Sequence, residues 1–388
     1  MSTSTAPSVP GLPAASTFAT AGRIVLGAGA VAQVPDLVTA LGSRVLVVAG
    51  RSADVGALGA AAVHRHRGEP DVDAVRAAVA VAREVRPDVV VGWGGGSVLD
   101  LAKCVAVLAR GGTDVLDHLE VVGRGLPLGE VALPVVAVPT TAGTGAEVTA
   151  NAPVRVPDRG VKASLRGRAM LPAVAVVDPL LTLGCPPALT ASSGADALTQ
   201  CLEAFTTPYA TALTDPLARE GLVRAGRSLR RAVEHGDDVD ARTDLSVAAL
   251  LSGMALANAK LGAVHGLAAA LGGRLGAPHG QVCAAVLAAT TAANVAALRR
   301  TDAGGPGLAR YDDAAAALTG RAGARADDAV AWLAELTAAI GVPGLGALGL
   351  DAADVPAVVA DALAASSTRG NPVALTAAEL ADVVAASW

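Results

Sequence analysis

Residues 88–103 read Asp88-Val-Val-Val-Gly-Trp-Gly-Gly-Gly-Ser-Val-Leu-Asp-Leu-Ala-Lys103, and the reading of the fold turns on them. The run 88–91 has the apolar, β-branched character of a buried strand, 92–97 reads as a tight side-chain-poor loop, and from Val98 apolar residues recur at helical spacing. Strand, glycine loop and helix start in that order make a cradle for an anion. The first turn of a helix leaves backbone N–H groups unpaired and carries partial positive charge, so phosphate is favoured there. Gly94, Gly95 and Gly96 let the backbone close on it, and Ser97 adds a hydroxyl. The same residues also fit a plain strand-to-helix connection that binds nothing, because an isolated glycine loop is weak evidence.

The flanking sequence extends the pattern. Short strands are expected at 22–26, 44–49, 134–138 and 173–177, with helices at 31–41, 71–85 and from Val98 to about residue 110. Strands alternating with such helices predict an α/β fold, a parallel sheet with crossover helices. From about residue 190 the β-branched runs stop. Helices are expected at 195–205, 216–234, 242–259, 263–272, 282–299, 311–318, 327–340, 353–364 and 377–387. The expected organisation is therefore a loose Ser/Thr/Ala/Pro-rich arm at 1–17, an α/β domain at 18–185, and an all-α domain at 186–388.

At 388 residues the chain has room for two hydrophobic cores, since single cores stop growing at about 250–300 residues. It is 52% hydrophobic with only 3 Trp, 2 Tyr and 2 Phe, so the core must be built from alanine and small aliphatic side chains in close helix contact. The apolar stretches 246–259 and 281–298 carry Asn, Thr or Gln, which predicts buried helices rather than membrane spans. A net charge of −5 without a long basic run excludes a nucleic-acid surface. The arginines within 227–231 read as a solvated helix face. Cys104, Cys185, Cys201 and Cys283 lack CxxC spacing, which argues against a disulfide framework or zinc knuckle and fits a cytoplasmic protein.

Several groups could carry chemistry. The loops at Gly94 and at Pro139-Thr-Thr-Ala-Gly-Thr-Gly-Ala-Glu-Val-Thr149 should open at one carboxyl edge of the sheet, where such folds bind ligands. Gly50-Arg51-Ser52 follows another strand. A small residue beside an arginine there suits a 2′-phosphate, whereas an acidic residue would take a ribose hydroxyl. Gly50 and Arg51 lean towards NADP(H) over NAD(H), although Arg51 also fits a solvated loop position. Asp196 and Gln200 share one helix face. His265 and His279 would lie about 21 Å apart along a continuous helix, but Gly272, Gly273, Gly276 and Pro278 interrupt that path and let the imidazoles turn back on one another. A carboxylate with two histidines suits a divalent cation such as Fe²⁺ or Zn²⁺; taken singly, the three also fit a helix cap and two core histidines.

The ordered set of motifs resembles the iron-dependent (group III) alcohol dehydrogenases: Gly94-Gly-Gly-Ser-Val-Leu-Asp-Leu-Ala-Lys103, Pro139 to Glu147 of the second loop, Asp178-Pro179, Gly194-Ala-Asp-Ala-Leu198, Val264-His-Gly266, Pro278-His-Gly280 and Asn371-Pro372. The resemblance implies a dehydroquinate synthase-like architecture with its active site between the nucleotide domain and a metal-binding helical domain. It assigns Gly95, Gly96, Ser97 and Asp100 to the pyrophosphate region, and Thr140, Thr141 and Thr144 to phosphate and nicotinamide contacts. It makes Lys162 and the segment from Leu181 to Cys185 line the nucleotide. Asp196, His265 and His279 fall on catalytic metal-ligand positions. The family's usual second ligand is a histidine where this chain has Gln200, and a further active-site histidine of many members is replaced by Ala269. An amide oxygen at Gln200 would be a weaker ligand, and the proton relay loses a member.

The activity implied is NAD(P)-dependent interconversion of a small-molecule alcohol and an aldehyde or ketone, assisted by metal. A maleylacetate reductase is a close alternative, against which Asp100 and Thr141-Ala-Gly-Thr144 stand. A non-catalytic nucleotide-binding relative with an eroded metal site is a third reading, supported by Gln200 and Ala269. The resemblance is compatible with a homodimer.

Overall fold

The computed structural model describes residues 16–388 apart from Ser52. All but the last two residues of the expected arm at 1–17 therefore lie outside the described residues. The strands, in chain order, are β1 (Arg23–Leu26), β2 (Val45–Ala49), β3 (Ala62–Arg65), β4 (Val89–Gly94), β5 (Val135–Pro139), β6 (Asn151–Val156), β7 (Val161–Arg166) and β8 (Val174–Val177). Six of them form one parallel sheet in the order β1-β8-β5-β4-β2-β3, while β6 and β7 make a separate antiparallel hairpin. The helices between them are α1 (Val34–Thr39), α2 (Val72–Val85), α3 (Gly96–Leu108) and the single turn α4 (Val115–His118).

The central strands are buried along their whole length because both faces are covered. Alternate side chains go to different cores. Leu46, Val48 and Val90 pack with α2 and α3, whereas Val45, Val47, Val89, Val91 and Trp93 pack on the other face with α1. β3 lies on one side of β2 and β4 on the other, so the connections leaving β2 and β4 diverge at that point. Such a switch point is where ligands of open α/β sheets bind.

The opening stretch differs from its expectation in one respect. The strand continues through Gly92, Trp93 and Gly94, and the helix already begins at Gly96, leaving Gly95 alone between them. The glycines serve close packing rather than looseness: a Cβ on Gly94 would stand 2.8 Å from Val98 Cγ2. The edge strand β3 and the β6–β7 hairpin were not expected. β6 alternates half-buried and buried residues, and its turn holds Gly160 at φ 61°, so the signal was a weak period-2 pattern around Pro157-Asp-Arg-Gly160.

After β8 the chain is helical: α5 (Pro187–Thr206), α6 (Thr214–Glu234), α7 (Val239–Asn258), α8 (Ala263–Leu275), α9 (His279–Thr301), α10 (Pro306–Thr319), α11 (Ala326–Ala339), α12 (Val355–Ala364) and α13 (Ala377–Ala386). Their shared core is rich in alanine, with Leu198, Leu202, Leu222, Leu229, Leu267 and Leu287 filling between the backbones. α8 runs through Gly272 and Gly273, and the break expected there falls instead at Gly276, in the left-handed region at φ 59°, and Pro278. By length and composition α9 could cross a membrane, yet 61% of its apolar window is buried inside the fold. A small core of Val148, Ala175 and Val177 with Leu250 of α7 joins the sheet to the helices.

The arginine cluster on α6 is more than a solvated face. Arg227 Nε and Nη2 donate to Asp244 of α7 at 2.7 and 2.6 Å, and Arg224 Nη1 donates to the same carboxylate at 3.0 Å. Asp244 is buried, and burial would favour its neutral form; the guanidinium of Arg227 and the Ser228 hydroxyl outweigh this and hold it below the ordinary carboxylate range.

Candidate active site

The nucleotide side is built at the carboxyl ends of β2, β4 and β5. Gly50 N donates to Trp93 O at 2.8 Å and Thr140 N donates to Gly94 O at 2.9 Å, so the three loop starts are tied side by side. Gly95, which has no side chain to cap α3, leaves the N–H groups of Gly96 and Ser97 facing outward at the helix start. Thr141 lies against Gly95 and Thr144 against Gly96; a Cβ on Gly96 would stand 2.4 Å from Thr144 Oγ1. The sequence-expected Gly95, Gly96, Ser97, Thr140, Thr141 and Thr144 thus share one surface that could hold a diphosphate.

Asp100 lies one turn further into α3. It is buried and paired with Lys103 Nζ at 2.9 Å. Burial raises its pKa despite the ammonium. Lys103, with no exposed side chain, also donates to Ala146 O at 3.0 Å, Thr149 Oγ1 at 3.0 Å and Asn151 O at 2.5 Å. The pair pins α3 to the threonine-rich loop. Beside it Glu147 is buried, and desolvation pushes its carboxyl up to about 7.

Arg51 is exposed after β2, and Arg65 at the end of β3 donates to Gly50 O at 2.7 Å and Ala53 O at 3.0 Å, bracing this loop. Lys162 lies on β7 in an ion pair with Glu69 at 2.7 Å, close enough to His279 to oppose its protonation. Leu181 is half-buried against the α1-side core, and Cys185 Sγ donates to Thr140 O at 3.2 Å.

The opposite side is assembled by α5, α8 and α9. Gly143 of the threonine-rich loop packs directly on Ser193 of α5, one turn before Asp196. α8 starts with His265 in its first turn and α9 starts at His279, so the kink at Gly276 and Pro278 folds the two imidazoles together with ring centroids 5.6 Å apart. His265 Nε2 and His279 Nε2 lie 3.4 and 4.0 Å from Asp196 Oδ1. Asp196 Oδ1 and His265 Nε2 are buried without a hydrogen-bond partner. Orphaned buried polar atoms carry a desolvation penalty that a bound group relieves. The three expected residues therefore fit a divalent cation. His279 is the half-exposed member and marks the open side.

Three contributors were missed. Glu203, seven residues after Asp196 on the same face of α5, places Oε2 2.5 Å from His265 Nδ1, and Oε1 accepts from Val264 N at 2.7 Å. Asn371 accepts from Ala263 N at 3.0 Å, completing the start of α8. Cys283, one turn after His279, brings Sγ to 3.6 Å from His279 Nε2. The donor atoms of Asp196, His265, His279 and Cys283 all lie within 4.8 Å of one another. Helical spacing from Asp196 and His279 was the available signal for two of the three.

Gln200, expected among the ligands, instead directs its Nε2 at Asp196 Oδ2, 2.9 Å away, while Oε1 accepts from Ser252 Oγ at 2.7 Å.

The cluster is tightly coupled. Burial raises Asp196, but the hydrogen bond from His265 and the charge of His279 outweigh it and hold the acid low. Burial disfavours the His265 imidazolium, yet Cys283 and Glu203 carry it well above the ordinary histidine range. The Cys283 sulfur raises His279 against the cost of burial. Cys283 is pushed up by burial and brought below the usual thiol range by the imidazoles of His279 and His265.

Comparison with known proteins places the chain in a family. The family model described as iron-containing alcohol dehydrogenase matches residues 21–179, and that of the C-terminal part of the Fe-containing alcohol dehydrogenase family matches residues 190–388. The chain is 34% identical over 352 residues to 4-hydroxybutyrate dehydrogenase of Cupriavidus necator, covering 89% of this chain and 90% of the relative. The solved structure of a 1,3-propanediol oxidoreductase superposes with a TM-score of 0.84 at 30% identity, covering 96% of this chain and 100% of the other. Sulfoacetaldehyde reductase of Bifidobacterium kashiwanohense, solved in complex with NAD⁺, superposes with a TM-score of 0.85 at 26% identity, covering 96% and 99%. With the parallel sheet, the helical second half and both family models in agreement, this chain belongs to the iron-containing alcohol dehydrogenase family and is an NAD(P)-dependent alcohol oxidoreductase.

Proposed function

We propose that this enzyme prefers NADP(H) and interconverts a small alcohol and an aldehyde or ketone with the help of Fe²⁺ or Zn²⁺. The observation that carries this reading is the convergence of Asp196, His265 and His279 on one point beside the middle of α5, one turn beyond Ser193, on which Gly143 of the threonine-rich loop packs. A bound divalent ion supplies Lewis-acid polarisation of the carbonyl oxygen, worth several kcal/mol of the barrier. Asp196, His265 and His279 hold that ion, and Glu203 keeps the His265 proton on Nδ1 so that Nε2 presents its lone pair.

Gly95, Gly96 and Ser97 take the pyrophosphate at the start of α3, and Thr140, Thr141 and Thr144 fix the phosphate and nicotinamide. Lys162 and Leu181 flank the dinucleotide, and Arg51 beside Gly50 meets a 2′-phosphate. A bound nicotinamide cofactor would supply hydride exchange with the carbonyl carbon. Ala269 offers no titratable group, so the alcohol proton would have to leave through water or a cofactor ribose hydroxyl. The four free thiols suit a reducing cytoplasm.

The test is NADPH and NADH oxidation over a panel of small aldehydes and maleylacetate, before and after chelation and refilling with Fe²⁺ or Zn²⁺. Aldehyde turnover that chelation abolishes and metal restores is expected, with loss of both metal and activity in Asp196→Ala. Turnover of maleylacetate alone, or activity indifferent to Asp196→Ala, would overturn the reading. Arg51→Ala should erase an NADPH preference; equal or better use of NADH by the unaltered enzyme refutes that part.

A further inference from the structure

We propose that Cys283 Sγ is the fourth protein ligand of the metal centre, and that Gln200 is not a ligand but the residue that positions Asp196. The inference rests on the metal-assisted reading above and changes its donor set from an all-oxygen-and-nitrogen one to Asp oxygen, two His nitrogens and a Cys sulfur.

Gln200 has one ligand-capable atom, Oε1. Asp196 Oδ2 lies 2.9 Å from the other end of the amide, and an ionised carboxylate accepts but does not donate. The amide nitrogen must therefore face Asp196, which turns Oε1 towards α7, where the Ser252 hydroxyl donates to it at 2.7 Å. Freeing Oε1 would place a carbonyl oxygen against a carboxylate oxygen. Gln200 is 4% exposed, so water offers no easy substitute.

On the other side, α9 sets His279 and Cys283 one turn apart on the same face. Sγ reaches the point on which the other three donors converge, within the same 4.8 Å span. Two of those donors, Asp196 Oδ1 and His265 Nε2, are orphaned although their residues are only 2% and 6% exposed. Their aim, not the presence of a cysteine, locates the site. Coordination releases the thiol proton to solvent and leaves sulfur bound as thiolate. A thiolate in the set favours Zn²⁺ and Co²⁺ over harder cations.

The experiment is spectroscopic. Metal-free protein is titrated with Co²⁺, and the near-ultraviolet region is watched for sulfur-to-cobalt charge transfer, a signature that oxygen and nitrogen ligands do not produce. Wild type should show the band at one equivalent. Cys283→Ser should lose it and bind Co²⁺ more weakly, while Gln200→Ala should keep it. Peptide-level alkylation gives a measurement without a variant: Co²⁺ should protect Cys283 selectively among the four thiols. Co²⁺ binding with no such band, or a band that survives in Cys283→Ser, overturns the ligand assignment and leaves the metal reading standing. Failure of wild type to bind Co²⁺, Zn²⁺ or Fe²⁺ at all overturns both.

Discussion

Glu203 Oε2 stands 2.5 Å from His265 Nδ1, while its Oε1 accepts the backbone N–H of Val264 at 2.7 Å. One buried carboxylate thus caps the start of α8 and orients the imidazole that this start carries. Removing it frees the ring to rotate and to exchange tautomers. Such outer partners are worth about 10- to 100-fold in metal affinity. Glu203→Ala should weaken metal binding by that factor in a chelator-competition titration, with Glu203→Gln losing less because the amide can still accept one of the two bonds.

The Lys103–Asp100 pair predicts a stability effect. Lys103→Met leaves Asp100 and three acceptors without their donor inside the protein. Breaking a buried pair from one side costs about 3–5 kcal/mol. Urea denaturation should show a loss of that order, and the double variant Lys103→Met/Asp100→Asn should recover part of it.

Gly96 should tolerate no side chain. A Cβ there overlaps Thr144 Oγ1, so Gly96→Ala must push apart the helix start and the loop proposed to hold the cofactor diphosphate. Overpacking of this kind costs about 1–3 kcal/mol, and if it falls on cofactor binding the dinucleotide Kd rises about tenfold or more. Nucleotide fluorescence titration measures this directly, with metal content unchanged.

Glu147 predicts a pH dependence. Its carboxyl is raised from 4.5 to about 7 by burial. The folded state therefore binds more proton than the unfolded state between these values, and stability falls as pH rises through that window. Glu147→Gln removes the titration. It should be nearly neutral at pH 4.5 and relatively stabilising above pH 7, by up to about 3 kcal/mol at 1.36 kcal/mol per unit. Denaturation midpoints of both proteins across this range give the comparison.

How far the sequence carried the reading differs residue by residue. The apolar runs of β2, β4, β5 and β8 were legible because both faces are covered and every position is apolar. β3 and the β6–β7 hairpin were not, because edge and surface strands carry only half a pattern. The glycines around Trp93 suggested a tight loop over 92–97, whereas the ladder to β5 and the press of Val98 keep Gly94 extended. Asp196, His265 and His279 stood out through their motifs. Cys283 did not, since a lone cysteine inside an alanine-rich helix reads as core until its neighbours in space are known.

By itself the sequence determined the α/β half and the helical half, and it singled out the glycine loop before α3 and the side chains Asp196, His265 and His279, because local periodicity and short motifs encode all of these. Only the tertiary structure decided which way the Gln200 amide faces, that Glu203 holds His265, and that Cys283 joins the cluster. Those facts depend on where α5, α7, α8 and α9 cross. Helix crossings are set by the packing of many small side chains at once, and no short stretch of sequence records them.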